Sequence, residues 1–251
     1  MFKNITMKTL IISIVTISTG IGILLLCILA YNNQNKVLEE KINDNMSTYL
    51  DAQVNAVEEF VEKSELDLKL FSKNKIVEEL ILENSADTSA LPEFNDPEYN
   101  TTAYYRDNYK SFNDAQNYTM EFYNSLSNWE GLYIGNMDTR ILAYSVPPVI
   151  GKVLRPEESR RKQLIDVMNS NLSGVYNAGI IVSPGTGKLC LSMYSPVLKD
   201  GKMIGYVGGG VFHTELEKIL NSFPLNGVSN SRFYMINTET RITYTDTTVS
   251  E

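Results

Sequence analysis

Histidine, cysteine and basic charge are all scarce in this chain, and each scarcity closes off a class of function. There is one histidine, His213, and two cysteines, Cys27 and Cys190, in 251 residues. No G-x-S-x-G is present and no cysteine is placed to partner His213, which reads as a surface or capping residue. The chain is therefore expected not to be an enzyme, and neither a metal nor an organic cofactor is expected. Lys and Arg number 22 against 30 Asp and Glu, a net charge of −8. That balance excludes a nucleic-acid partner, which would require a basic patch. Cys27 falls in an apolar N-terminal run and Cys190 in a predicted strand, so they form no disulfide framework. Cys190 is expected to be a small buried side chain.

The phosphate-binding motifs are missing too. Ser183 to Cys190 reads SPGTGKLC, but a P-loop needs G-x-x-x-x-G-K-[ST]. Here Val182 stands at the first glycine position and Leu189 follows Gly187-Lys188. With Gly179 to Ser183 before it and Leu189 to Val197 after it as apolar strand signals, the stretch is predicted to be a β-turn. Gly208-Gly209-Gly210 does not complete G-x-G-x-x-G ahead of a helix, and is expected to mark close backbone packing at the end of a strand. The acidic residues are read as solvated faces of the stalk and loops.

Among what is present, the first feature is an uncharged run from Leu10 to Ala30, long enough to span a bilayer as a helix. A cleaved signal peptide has a shorter apolar region, and Leu24-Leu25-Leu26 before Cys27 lacks the small residue of a lipoprotein site. The expectation is an uncleaved anchor. Lys3 and Lys8 precede it, which keeps residues 1–9 in the cytoplasm and places everything after Tyr31 outside.

No glycine or proline occurs between Gly22 and Pro92. Apolar residues recur at Leu38, Ile42, Met46, Leu50, Val54, Val57, Val61, Leu68 and Phe71. This spacing predicts one continuous stalk helix over residues 31–83, and its length favours a homodimer through the stalk over a solvated helix with no partner. A polar loop is expected over 83–99. A second helix is expected over 103–126, with Tyr105, Tyr109, Phe112, Tyr118 and Phe122 as a core stripe. A hairpin follows around Asn136-Met137-Asp138, closed by Pro147-Pro148, and then a helix over 157–169. Asp200-Gly201 separates Leu189–Val197 from Met203–Val207 as a further hairpin. A helix over 214–222 leads to a linker at 224–228 and a last hairpin-like unit from Phe233 to Tyr244. The fold class is α+β, with a central antiparallel sheet flanked by helices.

Several segments match a known pattern in order and content. They are Trp129-Glu-Gly-Leu-Tyr-Ile134, Asp138-Thr-Arg-Ile-Leu142, Val149-Ile150 before Gly151, Val175-Tyr-Asn-Ala-Gly-Ile-Ile181, Ser183-Pro184, Thr186-Gly187-Lys188, Ser192-Met-Tyr-Ser-Pro-Val197 and Asp200-Gly-Lys-Met-Ile-Gly-Tyr-Val-Gly208. Over roughly residues 31–245 the chain resembles the extracytoplasmic Cache (PAS-like) sensor domain of bacterial methyl-accepting chemotaxis receptors and sensor kinases, in its double-Cache arrangement. The resemblance implies a membrane-distal module over 84–223, and the start of a membrane-proximal module over 224–251 with its remainder, second span and output domain lying beyond.

It also implies a small-molecule ligand outside the cell. Members that bind amino acids carry Arg-x-Trp-Tyr and a later aspartate. Here the segment is Arg161-Lys-Gln163-Leu164, and the aspartate position falls near Ser183. Arg161 remains to hold a carboxylate, but the rest of the amino-acid pattern is gone. A carboxylate, another small polar metabolite and no small ligand at all stay open. The implied pocket residues are Tyr133, Tyr144, Arg155, Arg161, Tyr176 and Ser183. Their plain structural reading is that the tyrosines fill a sheet face, while Arg155 and Arg161 pair with Glu157 and Glu158. A structural or adhesive surface protein without a ligand is the alternative function, and a secreted enzyme a third.

Overall fold

The run free of glycine and proline folds as helix α1 (Met7–Ser72) in the computed structural model, which describes residues 7–87, 101–146, 149–222, 235–236, 243–245 and 248–250. Among the described residues α1 is the one helix long and apolar enough to cross a membrane, and none of its apolar window is buried. The chain divides into two units, one holding α1 as far as Val54 and the other beginning at Asn55 and holding the larger sheet. Within the second, α1 becomes amphipathic, and its last turns bury Leu68 and Phe71 completely.

The expected stalk does not run unbroken to residue 83. It ends at Ser72, and α2 (Lys75–Ala86) begins after Asn74. Asn74 is extended (φ −72°, ψ 135°), and its side-chain oxygen accepts the Ile76 N–H at 3.0 Å. An asparagine that caps competes with helical continuity as a glycine would. The second expected helix is likewise two, α3 (Thr101–Asn108) and α4 (Phe112–Ser125). The break is stabilised by a partner distant in sequence: the Glu83 carboxylate accepts the Lys110 N–H at 2.7 Å and the Ser111 N–H at 2.9 Å. Burial opposes the charge of Glu83, but the Ser111 hydroxyl, these two bonds and Lys110 more than offset it and hold its pKa low. The aromatic stripe is core: Tyr105, Tyr109 and Phe112 are buried, while Tyr118 and Phe122 pack on Phe71 with ring centroids 5.4 and 5.2 Å away.

Five antiparallel strands follow: β1 (Trp129–Asn136), β2 (Ile141–Tyr144), β3 (Tyr176–Val182), β4 (Leu189–Lys199) and β5 (Lys202–Phe212), in the order β2-β1-β5-β4-β3. Helix α5 (Glu158–Ser170) lies between β2 and β3 in sequence, and α6 (His213–Asn221) continues directly from β5. The Asp-Gly turn has positive φ at both residues, 50° at Asp200 and 75° at Gly201, as the twist of a two-residue hairpin demands. His213 is not a surface residue. It opens α6 with 3% exposure, its Nδ1 3.4 Å from the Glu217 carboxylate, and burial lowers its pKa.

Alternation along each strand sends Leu132 and Ile134 to the face covered by α2 and α4, and Tyr133 to the opposite face. On that opposite face one row of directly paired residues crosses all five strands: Tyr144, Tyr133, Gly208, Tyr194 and Tyr176. Close neighbours explain the glycine triplet, which lies within β5 rather than at its end, and the row itself accounts for Gly208. A Cβ on Gly208 would clash with the Tyr133 ring, and one on Gly209 would lie 2.6 Å from the Trp129 ring. A further sheet, β6 (Met235–Ile236), β7 (Thr243–Thr245) and β8 (Thr248–Ser250), includes the pairing expected of the last hairpin, Met235 opposite Tyr244. Most of the polar loop expected over 83–99, Pro147-Pro148 and the linker at 224–228 lie outside the described residues.

Gly208→Ala is expected to destabilise the sheet unit by about 1–3 kcal/mol, the usual cost of overpacking a filled site. Urea unfolding should show a lower midpoint with unchanged slope.

Candidate functional site

Three members of the tyrosine row, Tyr144, Tyr133 and Tyr194, line a cavity, and the turn that SPGTGKLC makes forms part of its wall. Ser183 organises that turn. Its N–H donates to the Lys188 carbonyl at 2.8 Å and its carbonyl accepts the Gly187 N–H at 2.9 Å. Its hydroxyl oxygen accepts the Gly185 N–H at 3.1 Å and the Thr186 N–H at 3.3 Å. Gly187 sits at φ 72°, the left-handed conformation a glycine adopts freely. The stretch is a turn between β3 and β4, as the flanking strands predict, but the bond from Gly187 back to Ser183 spans five residues and makes it an α-turn where a β-turn was expected. It has a second role that the flanks do not show: the Ser183 hydroxyl donates to Glu130 at 2.6 Å.

Glu130 corrects the expectation that the acidic residues are solvated. It lies in β1 and is 5% exposed. A carboxyl group offers about four acceptor positions, and the Ser183 hydroxyl occupies one of them. The half-buried Arg155, in the segment between β2 and α5, lines the same cavity of about 70 Å³, as do Tyr133, Tyr144 and Ser183. Arg155 does not pair with Glu157 or Glu158. Its Nη2 donates to the Tyr194 hydroxyl at 3.3 Å, and its guanidinium carbon stands 5.3 Å from the centre of the Tyr194 ring, within cation–π range. Glu157 pairs instead with Arg160 at 3.0 Å. Among the described residues no ion pair joins Glu130 to Arg155, so the cavity wall carries one acidic and one basic side chain that do not neutralise each other.

The surroundings keep the other polar groups neutral. Burial raises the Tyr133 and Tyr206 phenols, and burial together with the nearby Glu130 carboxyl raises Tyr144. Burial, then Glu130, pushes the Cys190 thiol up to about 12. Tyr133, Tyr144 and the Cys190 thiol therefore line the cavity as neutral groups, with Tyr206 neutral behind them. Burial opposes the charge of Arg155, but the tyrosine hydroxyls, Tyr194 above all, more than offset it so that its pKa is raised, and the guanidinium stays charged as arginines do.

Two of the six expected pocket residues lie elsewhere. Tyr176, at the edge of the sheet, stacks on Tyr194 with ring centroids 6.0 Å apart and lines a groove outside the cavity. Arg161, one turn before Leu164 on the same face of α5, meets Asp138 3.9 Å away and does not line the cavity. Glu130, Cys190, Ser192 and Tyr194 were missed. Glu130 left one signal, a lone charge inside the otherwise uncharged strand WEGLYIGN.

No protein-family model matches the sequence, and no curated protein does. Among solved structures the chain is similar to the sensory domain of the Campylobacter jejuni chemoreceptor Tlp3 with isoleucine bound, at a TM-score of 0.50 and 15% identity over 75% of this chain and 66% of that one. The ligand-binding domain of the same chemoreceptor in complex with L-valine matches at 0.50 and 16%, over 75% and 67%. The sensor domain of the V. cholerae histidine kinase DctB matches at 0.49 and 13%, over 70% and 58%. The chain spans from 58% to about two thirds of the length of these domains. Its fold, α+β with a five-stranded antiparallel sheet, is the one these sensory and ligand-binding domains share.

Ser183→Ala removes the donor to Glu130 and the acceptor for two turn N–H groups. A loss of about 1–3 kcal/mol of folding stability is expected from leaving buried polar groups unsatisfied, read as a lowered urea midpoint.

Proposed function

We propose that this chain is the extracytoplasmic sensing part of a membrane receptor, binding a small polar molecule in the cavity between the tyrosine row and the turn at Ser183–Gly187. The observation that carries this is the placing of Glu130 and Arg155 on one cavity wall without an ion pair between them. The Ser183 hydroxyl takes one acceptor position of Glu130 and the Tyr194 hydroxyl one donor of Arg155, and a carboxyl group and a guanidinium have several more to offer a ligand. A molecule with an acceptor for Arg155, such as a carboxylate, and a donor for Glu130 satisfies both at once. The likeness of fold to a chemoreceptor domain seen with isoleucine and with L-valine supports a ligand of this general kind.

The apolar start of α1 supports a membrane anchor. Leu38, Ile42, Met46, Leu50 and Val54 are exposed at steps of four along the same helix, and they form the seam for a second copy of the chain. Because α1 also buries Leu68 and Phe71 in the sheet unit, a ligand that favours one packing of those residues biases the helix. A differential affinity of a few kcal/mol suffices to shift such an equilibrium.

The test is a thermal-melt panel of amino acids, organic acids, amines and nucleobases on the full chain in detergent. A ligand at one hundred times its Kd adds about 2.7 kcal/mol, which at this size raises the midpoint by roughly 5–10 °C. One class of compound should give that shift, and Arg155→Ala and Glu130→Gln should each abolish it. A flat panel on a cooperatively melting sample would contradict the proposal and favour a ligand-free interaction domain.

A further inference from the structure

The cavity of about 70 Å³ is small. An apolar cavity of about 150 Å³ holds benzene, so a ligand even of that size does not fit the space as it stands. Directly outside lies a groove of about 470 Å³ between α5 and the edge strand β3, bordered by Arg160, Gln163 and Tyr176, within the size range of small-molecule sites. Leu154, Arg155, Ile181 and Pro184 line both spaces and form the partition between them. Behind it the inner walls are almost sealed: Cys190, Ser183 and Glu130 are 3%, 4% and 5% exposed.

Of the four partition residues, Arg155 alone has a long side chain with a light tether. Its backbone is fixed, since the Leu154 N–H donates to the Thr139 carbonyl at 2.9 Å and the Arg155 N–H to the Thr139 hydroxyl at 3.1 Å. Thr139 is itself fully buried. Among the described residues the guanidinium hydrogen-bonds to and stacks on one partner, Tyr194, at 3.3 Å from its hydroxyl and 5.3 Å from its ring centre. Leu154 and Ile181 are shorter and apolar, and Pro184 is a ring closed onto its own backbone.

We propose that the Arg155 side chain is a gate between cavity and groove, and that it sets the size of ligand the sensor accepts. With the guanidinium on Tyr194, the cavity admits only a group of a few heavy atoms. With the guanidinium swung into the groove, the two spaces become one site, in which a ligand's head lies against Glu130 and its body lies along α5 beside Tyr176. A ligand acceptor then replaces the Tyr194 hydroxyl as the partner of Arg155. Arg155 is thus a specificity-determining residue as well as a contact. The gate rests on taking the cavity as the ligand site.

Cys190 lines the inner cavity and reports on the gate without any ligand. The experiment uses the full chain in detergent with Cys27→Ser, and follows Cys190 labelling by methyl methanethiosulfonate and by the bulkier benzyl methanethiosulfonate. In each case the thiolate attacks the sulfenyl sulfur, a mixed disulfide forms and methanesulfinate leaves. Wild type should label slowly, and far more slowly with the benzyl reagent. Arg155→Ala should raise the benzyl rate at least about tenfold and nearly abolish the size discrimination. Arg155→Met, which keeps the length of the stem, and Tyr194→Phe, which removes the hydroxyl, should fall between, so the gate stays testable if the alanine variant folds poorly. These rates should not change in low urea, where access through unfolding would rise. Equal wild-type and Arg155→Ala rates, or an acceleration that follows loss of thermal stability, would overturn the gate. A melt-panel hit alongside equal labelling rates would remove the gate and leave the binding site standing.

Discussion

One row of paired residues, Tyr144–Tyr133–Gly208–Tyr194–Tyr176, holds the five-stranded sheet in its form. Four phenols and one glycine in register across five strands cannot all lie flat. The missing side chain at Gly208 accepts the Tyr133 ring, and Tyr206 fills the space over the glycine with its ring 6.1 Å from Tyr133 and 6.0 Å from Tyr194. Aromatic pairs in tilted or edge-on geometry contribute beyond their buried area. The register of β5 is fixed accordingly, because a slip by one residue would send Tyr206 to the helix-covered face and place Val207 against Tyr133.

The same row makes the cavity polar without making it charged. Phenols whose ionisation burial suppresses are donors and acceptors at fixed positions, and they surround one acid and one base that the backbone keeps apart. Glu130 is held from β1 and by the turn after β3; Arg155 is held by Thr139 at the tip of the first hairpin. In a low-dielectric recess such a separated pair interacts strongly with any small dipolar molecule between them. The preorganisation is therefore part of the fold and does not depend on loop closure.

Much of the architecture was legible, because local chemistry determines it. Asp200-Gly201 and Pro184–Gly187 announce turns, alternation announces strands, and the aromatic stripe at Tyr105, Tyr109 and Phe112 announces core. What stayed hidden depends on partners far apart in sequence. The helix break at Ser111 is stabilised by Glu83, which no local pattern shows. Glu130 reads as one more acid until Ser183 is seen beside it. Arg155 was found and its pairing missed, since neighbouring glutamates in sequence are a poorer guide than the tyrosine two strands away. The break at Asn74 was within reach, as a capping residue in a helix with no glycine or proline to draw attention to it.

The central claim is that one small polar molecule bridges Glu130 and Arg155 above the tyrosine row. A crystal structure of the full chain with a compound that raises its melting point tests this most directly. The compound is expected in the inner cavity, with a donor at about 2.7–3.2 Å from a Glu130 carboxyl oxygen and an acceptor at the same range from the Arg155 guanidinium. A compound seated elsewhere, with the Arg155–Tyr194 contact intact and the cavity unfilled, would contradict it.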